Sequence, residues 1–317
     1  MTHKKCWILT LTDSLVTLQG LGECSIIEGL SPDYESDEQY ENKLNEVCQK
    51  LNYFLENPKQ LNAFPSILMG LEMCMFDLVN GGKQVYFPSA FTNGESSIPI
   101  NGLVWMGDKL FMQEQIEAKL NQGYSCIKMK VGAIDFDAEL HLLREIRKSY
   151  SKEQIVLRVD ANGSFSPDDA LTKLKALAEL DLHSIEQPIE VGQTEEMHRL
   201  CKTSPLAIAL DEELIGINET KDRAALLDKI KPQYIILKPS LHGGFSGSQE
   251  WIKLANERNI DWWITSALES NIGLNAIAQF AGKLNVQQPQ GLGTGALFVE
   301  NFDSPLFIEN GRLFYRT

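Results

Sequence analysis

The sequence predicts an α/β protein: a (β/α)8-type barrel joined to an N-terminal α+β capping domain. From Ile98 onward, short apolar strands alternate with helical segments, the grammar of repeated βα units around a parallel sheet. Five consecutive strand candidates end in ionisable side chains, where a barrel gathers its active-site groups. Length agrees, because such a barrel takes about 250 residues and the chain has 317. The expected units are 1–96 for the cap and 97–302 for the barrel, with the tail 303–317 returning to the cap.

The N-terminal part opens with β-rich runs at Cys6–Thr12, Leu15–Leu18 and Glu23–Ile27. A helix is expected to begin near Asp37 and carry Tyr40, Leu44, Val47, Cys48, Leu51 and Phe54 at three- and four-residue steps. A second follows Pro65, with Ile67, Leu68, Leu71, Met75 and Leu78 on its apolar face. The barrel strands are then expected at Ile98–Val104, Cys126–Lys130, Ile155–Asp160, His183–Gln187, Leu206–Asp211, Tyr234–Lys238 and Asp261–Thr265, with a weaker eighth before Gly291. Leu171–Leu180 and Ser248–Asn256 read as intervening helices. At the end, Leu306–Ile308 and Leu313–Tyr315 flank Asn310-Gly311, which favours a tight type I′ hairpin turn.

Composition narrows the function. The formal charge is −14, unsuited to a nucleic-acid binder, which needs a basic face for phosphate. No apolar run reaches the roughly 18–20 residues of a membrane span, so a cytoplasmic protein without a membrane partner is expected. The six cysteines are scattered without a CxxC pair and read as buried free thiols, and the five histidines form neither HxH nor HExxH, against a histidine-built zinc site.

The strand ends carry the chemistry. Lys128 and Lys130 lie in Ile-Lys-Met-Lys, Asp160 in Arg-Val-Asp-Ala-Asn, Glu186 in Ile-Glu-Gln-Pro, Asp211 in Ala-Leu-Asp-Glu, and Lys238 in Ile-Leu-Lys-Pro. Their barrel positions bring all of them to one mouth. Three carboxylates within about 4 Å of a common point would repel by roughly 4 kcal/mol per pair at an effective dielectric of 20, a conflict that a divalent cation resolves. An all-oxygen, hard donor set favours Mg²⁺, with Mn²⁺ as a substitute. Lys128 and Lys130 are two apart on one strand and point to the same face, so each discourages charging of the other, and a lysine neutral near pH 7 can act as a base. Salt bridges from these lysines to the acids are the plain structural alternative.

This Lys-x-Lys, Asp, Glu, Asp-Glu, Lys series resembles the enolase superfamily, in its muconate-lactonising-like group, which has lysine on both sides of the metal. The likeness spans nearly the whole chain. Gly20-Leu21-Gly22-Glu23-Cys24 is similar to the capping loop, Met73–Leu78 to the helix that usually reads Ala-Leu-Trp-Asp, and Ile100–Leu103 to the first barrel strand. The resemblance implies that Asp160, Glu186 and Asp211 ligate Mg²⁺ while Lys130 and Lys238 face each other across the substrate. It further implies proton abstraction alpha to a carboxylate by Lys130, then loss of hydroxide with Lys130 returning the proton, Lys238 stabilising the enediolate and Lys128 tuning Lys130. Asn162 and Glu212 are expected to orient these groups.

Ser266, Gly293 and Thr294 are the expected substrate contacts, the glycine-rich loop 291–295 offering backbone N–H groups to a carboxylate. Related dipeptide epimerases usually place Asp-x-Asp at that loop to hold an ammonium. Gly293-Thr294-Gly295 lacks it, which favours a small anionic carboxylate substrate. The capping loop departs from its relatives, reading Cys24-Ser25-Ile26-Ile27 without the usual proline. A racemase of N-succinylamino acids would use the same constellation, as, less closely, would a dipeptide epimerase. A silent barrel with a binding role is the reading outside enzymology. The oligomeric state is not legible in the sequence.

Overall fold

The computed structural model describes residues 3–13, 15–105, 107–295 and 297–317. Strands β1 (Cys6–Asp13) and β2 (Leu18–Ser25) form an antiparallel hairpin in which Cys6 faces Ser25 and Asp13 faces Leu18. The two runs expected at Leu15–Leu18 and Glu23–Ile27 are thus one strand. Leu15 and Val16 lie in the exposed turn, where Thr17 takes a φ of 56°, and Ile26 and Ile27 fall beyond the ladder.

Helix α1 (Asp37–Gln49) starts at Ser36, whose hydroxyl accepts from the Gln39 N–H at 3.2 Å, and α2 (Leu51–Glu56) follows after a break at Lys50. The periodicity expected to run on to Phe54 is therefore shared by two helices. Tyr40, Leu44, Val47 and Phe54 pack with Ile67, Leu68 and Leu71 of α3 (Pro65–Val79) in one apolar core. The other side of α3 sends Met69 and Met73 into the larger barrel core, so one helix belongs to both. Gly20 and Gly22 make this possible: a Cβ on either would stand 2.0 Å from the carbonyl oxygen of Cys74 or Gly70, which only a bare backbone tolerates.

A short strand β3 (Ile98–Pro99) precedes the barrel strands β4 (Gly102–Val104), β5 (Cys126–Lys130), β6 (Val156–Asp160), β7 (Ser184–Glu186), β8 (Ile208–Leu210), β9 (Tyr234–Leu237) and β10 (Asp261–Ile264). The seven from β4 to β10 form one parallel sheet in chain order. Helices α4 (Lys109–Asn121), α5 (Phe136–Ser149), α6 (Pro167–Ala178), α7 (Thr194–Thr203), α8 (Thr220–Ile230), α9 (Gly244–Asn256) and α10 (Asn271–Lys283) connect or follow them.

The weak eighth strand is reduced to two parallel bridges, Gln290 with Ile100 and Gly291 with Thr265, which join the edges of the sheet. Side chains reinforce this closure. The Gln290 amide oxygen accepts from the Ile264 N–H at 2.7 Å, and Arg158 donates to the Pro289 carbonyl at 2.8 Å while its guanidinium lies 4.1 Å from the Trp263 ring centre.

The expected first strand, Ile98–Val104, is split. Ile98–Pro99 instead pairs with the C-terminal hairpin β11 (Leu306–Glu309) and β12 (Arg312–Tyr315), whose turn residues Asn310 and Gly311 both have positive φ. Tyr315 then packs edge-on against Phe91. Among the described residues no helix is long and apolar enough to cross a membrane.

Two carboxylates of the N-terminal part cap barrel helices. Glu72 of α3 accepts from the N–H groups of Phe245 at 2.6 Å and Ser246 at 3.2 Å, at the start of α9. Glu23 of β2 accepts from the N–H groups of Ser270 at 2.9 Å and Gly273 at 2.7 Å, at the start of α10. Burial pushes the Glu72 carboxyl up to about 7, against the pull of the Ser246 and Phe245 hydrogen bonds. An unfolded glutamate titrates at about 4.3, so the folded state binds the extra proton between these values. The contribution of Glu72 to stability is full below the unfolded value and is lost as pH rises through about 7. Glu72→Gln is expected to flatten the fall in urea-unfolding stability between about pH 5 and 7. A slope identical to that of the unmutated protein would remove Glu72 as its source.

Candidate active site

The side chains at the C-terminal ends of β5 to β9 meet at the barrel mouth because parallel register aligns them. Lys130 lies beside Asp160, and Asp160 beside Glu186, as paired positions of neighbouring strands. Asp211 and Lys238 follow immediately after β8 and β9. All three carboxylates are buried, and the three lysines keep less than a fifth of their side chains exposed.

The lysines share out the acids. Lys128 Nζ lies 3.0 Å from Asp160 Oδ2 and also donates to Glu186 Oε2. Lys130 Nζ lies 2.8 Å from Asp160 Oδ2 and 2.5 Å from Asn162 Oδ1, and Lys238 donates to Asp211 Oδ2. Asn162 in turn donates to Glu212 Oε1 at 2.8 Å, so both expected orienting residues form one chain ending on Lys130. Gln187, not singled out from sequence, holds the next layer. Its amide oxygen accepts from the backbone N–H groups of Asp211 and Glu213, and its nitrogen donates to Ile189 O and Glu213 Oε2. His242 Nδ1 similarly accepts from the Lys238 N–H at 3.0 Å. Gln187 stands directly after Glu186 and His242 four residues after Lys238, but the Asp211 and Glu213 partners of Gln187, 24 and 26 residues away, are not legible in spacing.

The electrostatics run against one expectation. Burial works to lower Lys128, yet Asp160, Glu186 and Asp211 outweigh it and hold the ammonium above the ordinary lysine range. Lys238 moves the same way, with Asp211 and Glu186 opposing burial. Mutual repulsion of two lysines therefore does not neutralise Lys128, because three nearby carboxylates set the local potential. Burial acts to raise Asp160, but Lys128 and Lys130 pull it below the carboxylate range. Glu186 goes up to about 8, through burial first and then Asp160. Burial also raises Asp211, against the pull of Lys238. Asp211 Oδ1 and Glu212 Oε2 are buried without a hydrogen-bond partner among the described residues. Among those residues, too, no group of three or more His, Cys, Asp or Glu side chains is gathered in ligand geometry, since ammonium groups stand among the carboxylates.

The mouth opens into a cavity lined by the lysines, Asp160, Asn162, Glu186 and Glu212, and by Ile27 and Leu30 from the N-terminal part. Its far wall is Trp263, Thr265, Ser266, Ala267, Leu268, Gly291, Gly293 and Thr294, and Asn101, Leu103 and Trp105 complete it. The three expected substrate contacts thus line one wall. The Ser266 hydroxyl, however, is fully committed: it donates to Glu269 Oε2 at 2.7 Å and accepts from Thr294 Oγ1 and the Leu268 N–H, both at 2.9 Å. It shapes the wall and has no proton left for a ligand, and Thr294 has spent its hydroxyl proton on Ser266. Trp263 of β10, which the sequence pattern does not single out, also lines the cavity.

Comparison with known proteins gives the family of the chain. Residues 112–316 match the family described as enolase C-terminal domain-like, and the chain belongs to that family. Within it, the chain is 48% identical to the o-succinylbenzoate synthase of Desulfotalea psychrophila over 99% of its own length and 92% of that protein. The crystal structure of MenC from Desulfotalea psychrophila LSv54 superposes with a TM-score of 0.89 at 47% identity, covering 98% of this chain and 94% of that one. By contrast, the L-Ala-D/L-Glu epimerase of Bacillus subtilis is 26% identical over 64% of this chain and 54% of that protein.

Lys128→Met removes the ammonium that two buried carboxylates share. It is expected to destabilise the metal-free protein by about 3–5 kcal/mol, the usual cost of breaking a buried ion pair from one side. Urea unfolding in EDTA checks this, and a stability unchanged from the unmutated protein would show that Lys128 does not neutralise the pair.

Proposed function

We propose that the chain catalyses the Mg²⁺-dependent syn-dehydration of 2-succinyl-6-hydroxy-2,4-cyclohexadiene-1-carboxylate to o-succinylbenzoate, a hydro-lyase step of menaquinone biosynthesis. The observation that carries this reading is three buried carboxylates, each bonded to a lysine, at the barrel mouth of a chain 48% identical to an o-succinylbenzoate synthase over nearly its full length.

Asp160, Glu186 and Asp211 fit a divalent cation. They are hard oxygen donors; burial first, and then Asp160, raises Glu186, and Asp211 Oδ1 is a buried oxygen without a hydrogen-bond partner among the described residues. When bound, the cation supplies positive charge to the substrate carboxylate, which makes the alpha proton easier to remove. Mn²⁺ is expected to substitute.

Lys130, oriented by Asn162 and Glu212, takes the alpha proton and later hands it to the departing hydroxide on the same face. Lys238, at the far side of the acid cluster, keeps its charge and offsets the negative charge that develops on the substrate carboxylate. Lys128 sits one inward position deeper on β5 and sets the potential at Lys130. Backbone N–H groups of Gly293 and Thr294 receive the succinyl carboxylate, and the segment 1–96, with the tail 303–317 against it, serves as the cap over the mouth. The setting is cytoplasmic, with a small anionic carboxylate as substrate.

Racemisation of an N-succinylamino acid would need the same two lysines to act from opposite faces, and the arrangement allows it. The dehydratase reading is preferred because the chain's high-identity relative is a dehydratase, whereas the epimerase match is distant.

Turnover followed as loss of the substrate's diene absorbance tests the roles. Lys130→Ala is expected to lower kcat by at least about 10³-fold with folding and Mg²⁺ binding intact. Asp211→Asn is expected to raise the Mg²⁺ concentration needed for half-maximal rate. Near-normal turnover in the first variant would overturn the base assignment, and unchanged metal dependence in the second would remove Asp211 from the ligand set.

A further inference from the structure

One buried carboxylate near the site touches neither the substrate cavity nor the acid cluster. Glu269, between β10 and α10, is fully buried and does not line the cavity. Its Oε1 accepts from the Ser240 hydroxyl at 2.6 Å, and its Oε2 accepts from the Ser266 hydroxyl at 2.7 Å and the Ala267 N–H at 2.8 Å. Ser240 lies two residues after Lys238, on the loop leaving β9. Ser266 receives the Thr294 hydroxyl from the closing segment. One side chain therefore ties together the ends of three consecutive barrel units. Lys4, from the segment before β1, donates to the Ala267 carbonyl and adds a restraint from the N-terminal part.

Three donors converge on Glu269, and a carboxylate is the side chain that accepts from all of them without offering a proton of its own. Ser266, Ala267, Leu268 and Thr294 line the same cavity as Lys128, Lys130 and Lys238, and Glu269 bonds both to Ser266 and Ala267 and to Ser240 on the loop after Lys238, so the carboxylate links that lining to the Lys238 loop.

We propose that Glu269 is the positioning residue that holds the substrate-facing wall of the β10 loop in register with Lys238, and so determines substrate affinity without contacting the substrate. The proposal rests on the dehydratase reading for its kinetic readout. Its geometric content can be read without turnover.

Two variants separate the possibilities. In Glu269→Gln the amide oxygen keeps Ser266 and Ala267, and the amide nitrogen faces a Ser240 hydroxyl free to turn and accept, so KM is expected to stay within about threefold. Glu269→Leu removes all three bonds. Its KM is expected to rise by about tenfold or more, with a smaller loss in kcat and an unchanged Mg²⁺ activation constant. Hydrogen exchange at the Ala267 N–H should be slow in the unmutated protein and in Glu269→Gln, and fast in Glu269→Leu.

Unchanged KM in folded Glu269→Leu would overturn the proposal. So would a loss of kcat in Glu269→Gln as deep as in Glu269→Leu, which would mark a group acting directly on the substrate. Should Glu269→Leu fail to fold, Ser240→Ala carries the test: a KM raised about threefold or more supports the tie, and an unchanged KM refutes it. An unmutated protein without turnover would count against the dehydratase reading alone, and the exchange rates would still decide whether Glu269 holds the loop.

Discussion

The constraint on which the site depends is electrostatic: the ends of β6, β7 and β8 bring Asp160, Glu186 and Asp211, all buried, to one barrel mouth, and buried carboxylates need positive charge. In the described structure the charge comes from Lys128, Lys130 and Lys238, each bonded to an acid. The arrangement is frustrated, with Asp160 pulled down by Lys128 and Lys130 against its burial while burial raises Glu186 and Asp211. Such a cluster gains from a divalent cation because a single ion can satisfy oxygens that three separate ammonium groups serve unequally. Both candidate lysines for proton transfer and charge stabilisation are tied to the acids, so site assembly and lysine protonation are linked.

The remainder of the fold serves to hold this point still. Gly20 and Gly22 let β2 press on the backbone of α3. From that rigid pair, Glu23 and Glu72 reach across to the starts of α10 and α9, the helices that follow the strands carrying the far wall and Lys238. The N-terminal part is thus fastened to the barrel by buried carboxylates, and Ile27 and Leu30 of the same part line the cavity.

The barrel and the acid–lysine series were legible because both depend on local pattern: apolar runs at βα spacing, each ending in an ionisable residue. Boundaries were less so. Ile98–Val104 reads as one strand, but Ile98–Pro99 is captured by the C-terminal hairpin, a long-range pairing that no window of sequence contains. The eighth strand looks weak because it has only bridge pairing, and its closure relies on Gln290 and on Arg158 from the opposite strand. Within the site, the sequence offers Ser266 as a substrate contact. Its saturation needs Thr294, 28 residues away, beside the local Glu269 and Leu268, and the role of Gln187 likewise rests on the distant Asp211. The direction of the Lys128 shift was missed for a related reason: a neighbour two residues away is visible in sequence, whereas three acids on other strands must be placed before they can be weighed.

The measurement that addresses the central claim most directly is a calorimetric titration of the metal-stripped, unmutated protein with Mg²⁺. Binding that saturates at one ion per chain, with the thermal midpoint rising as the site fills, is the predicted result. Absence of binding by a folded protein at millimolar Mg²⁺ would contradict the claim that the Asp160, Glu186 and Asp211 cluster is built for a divalent cation.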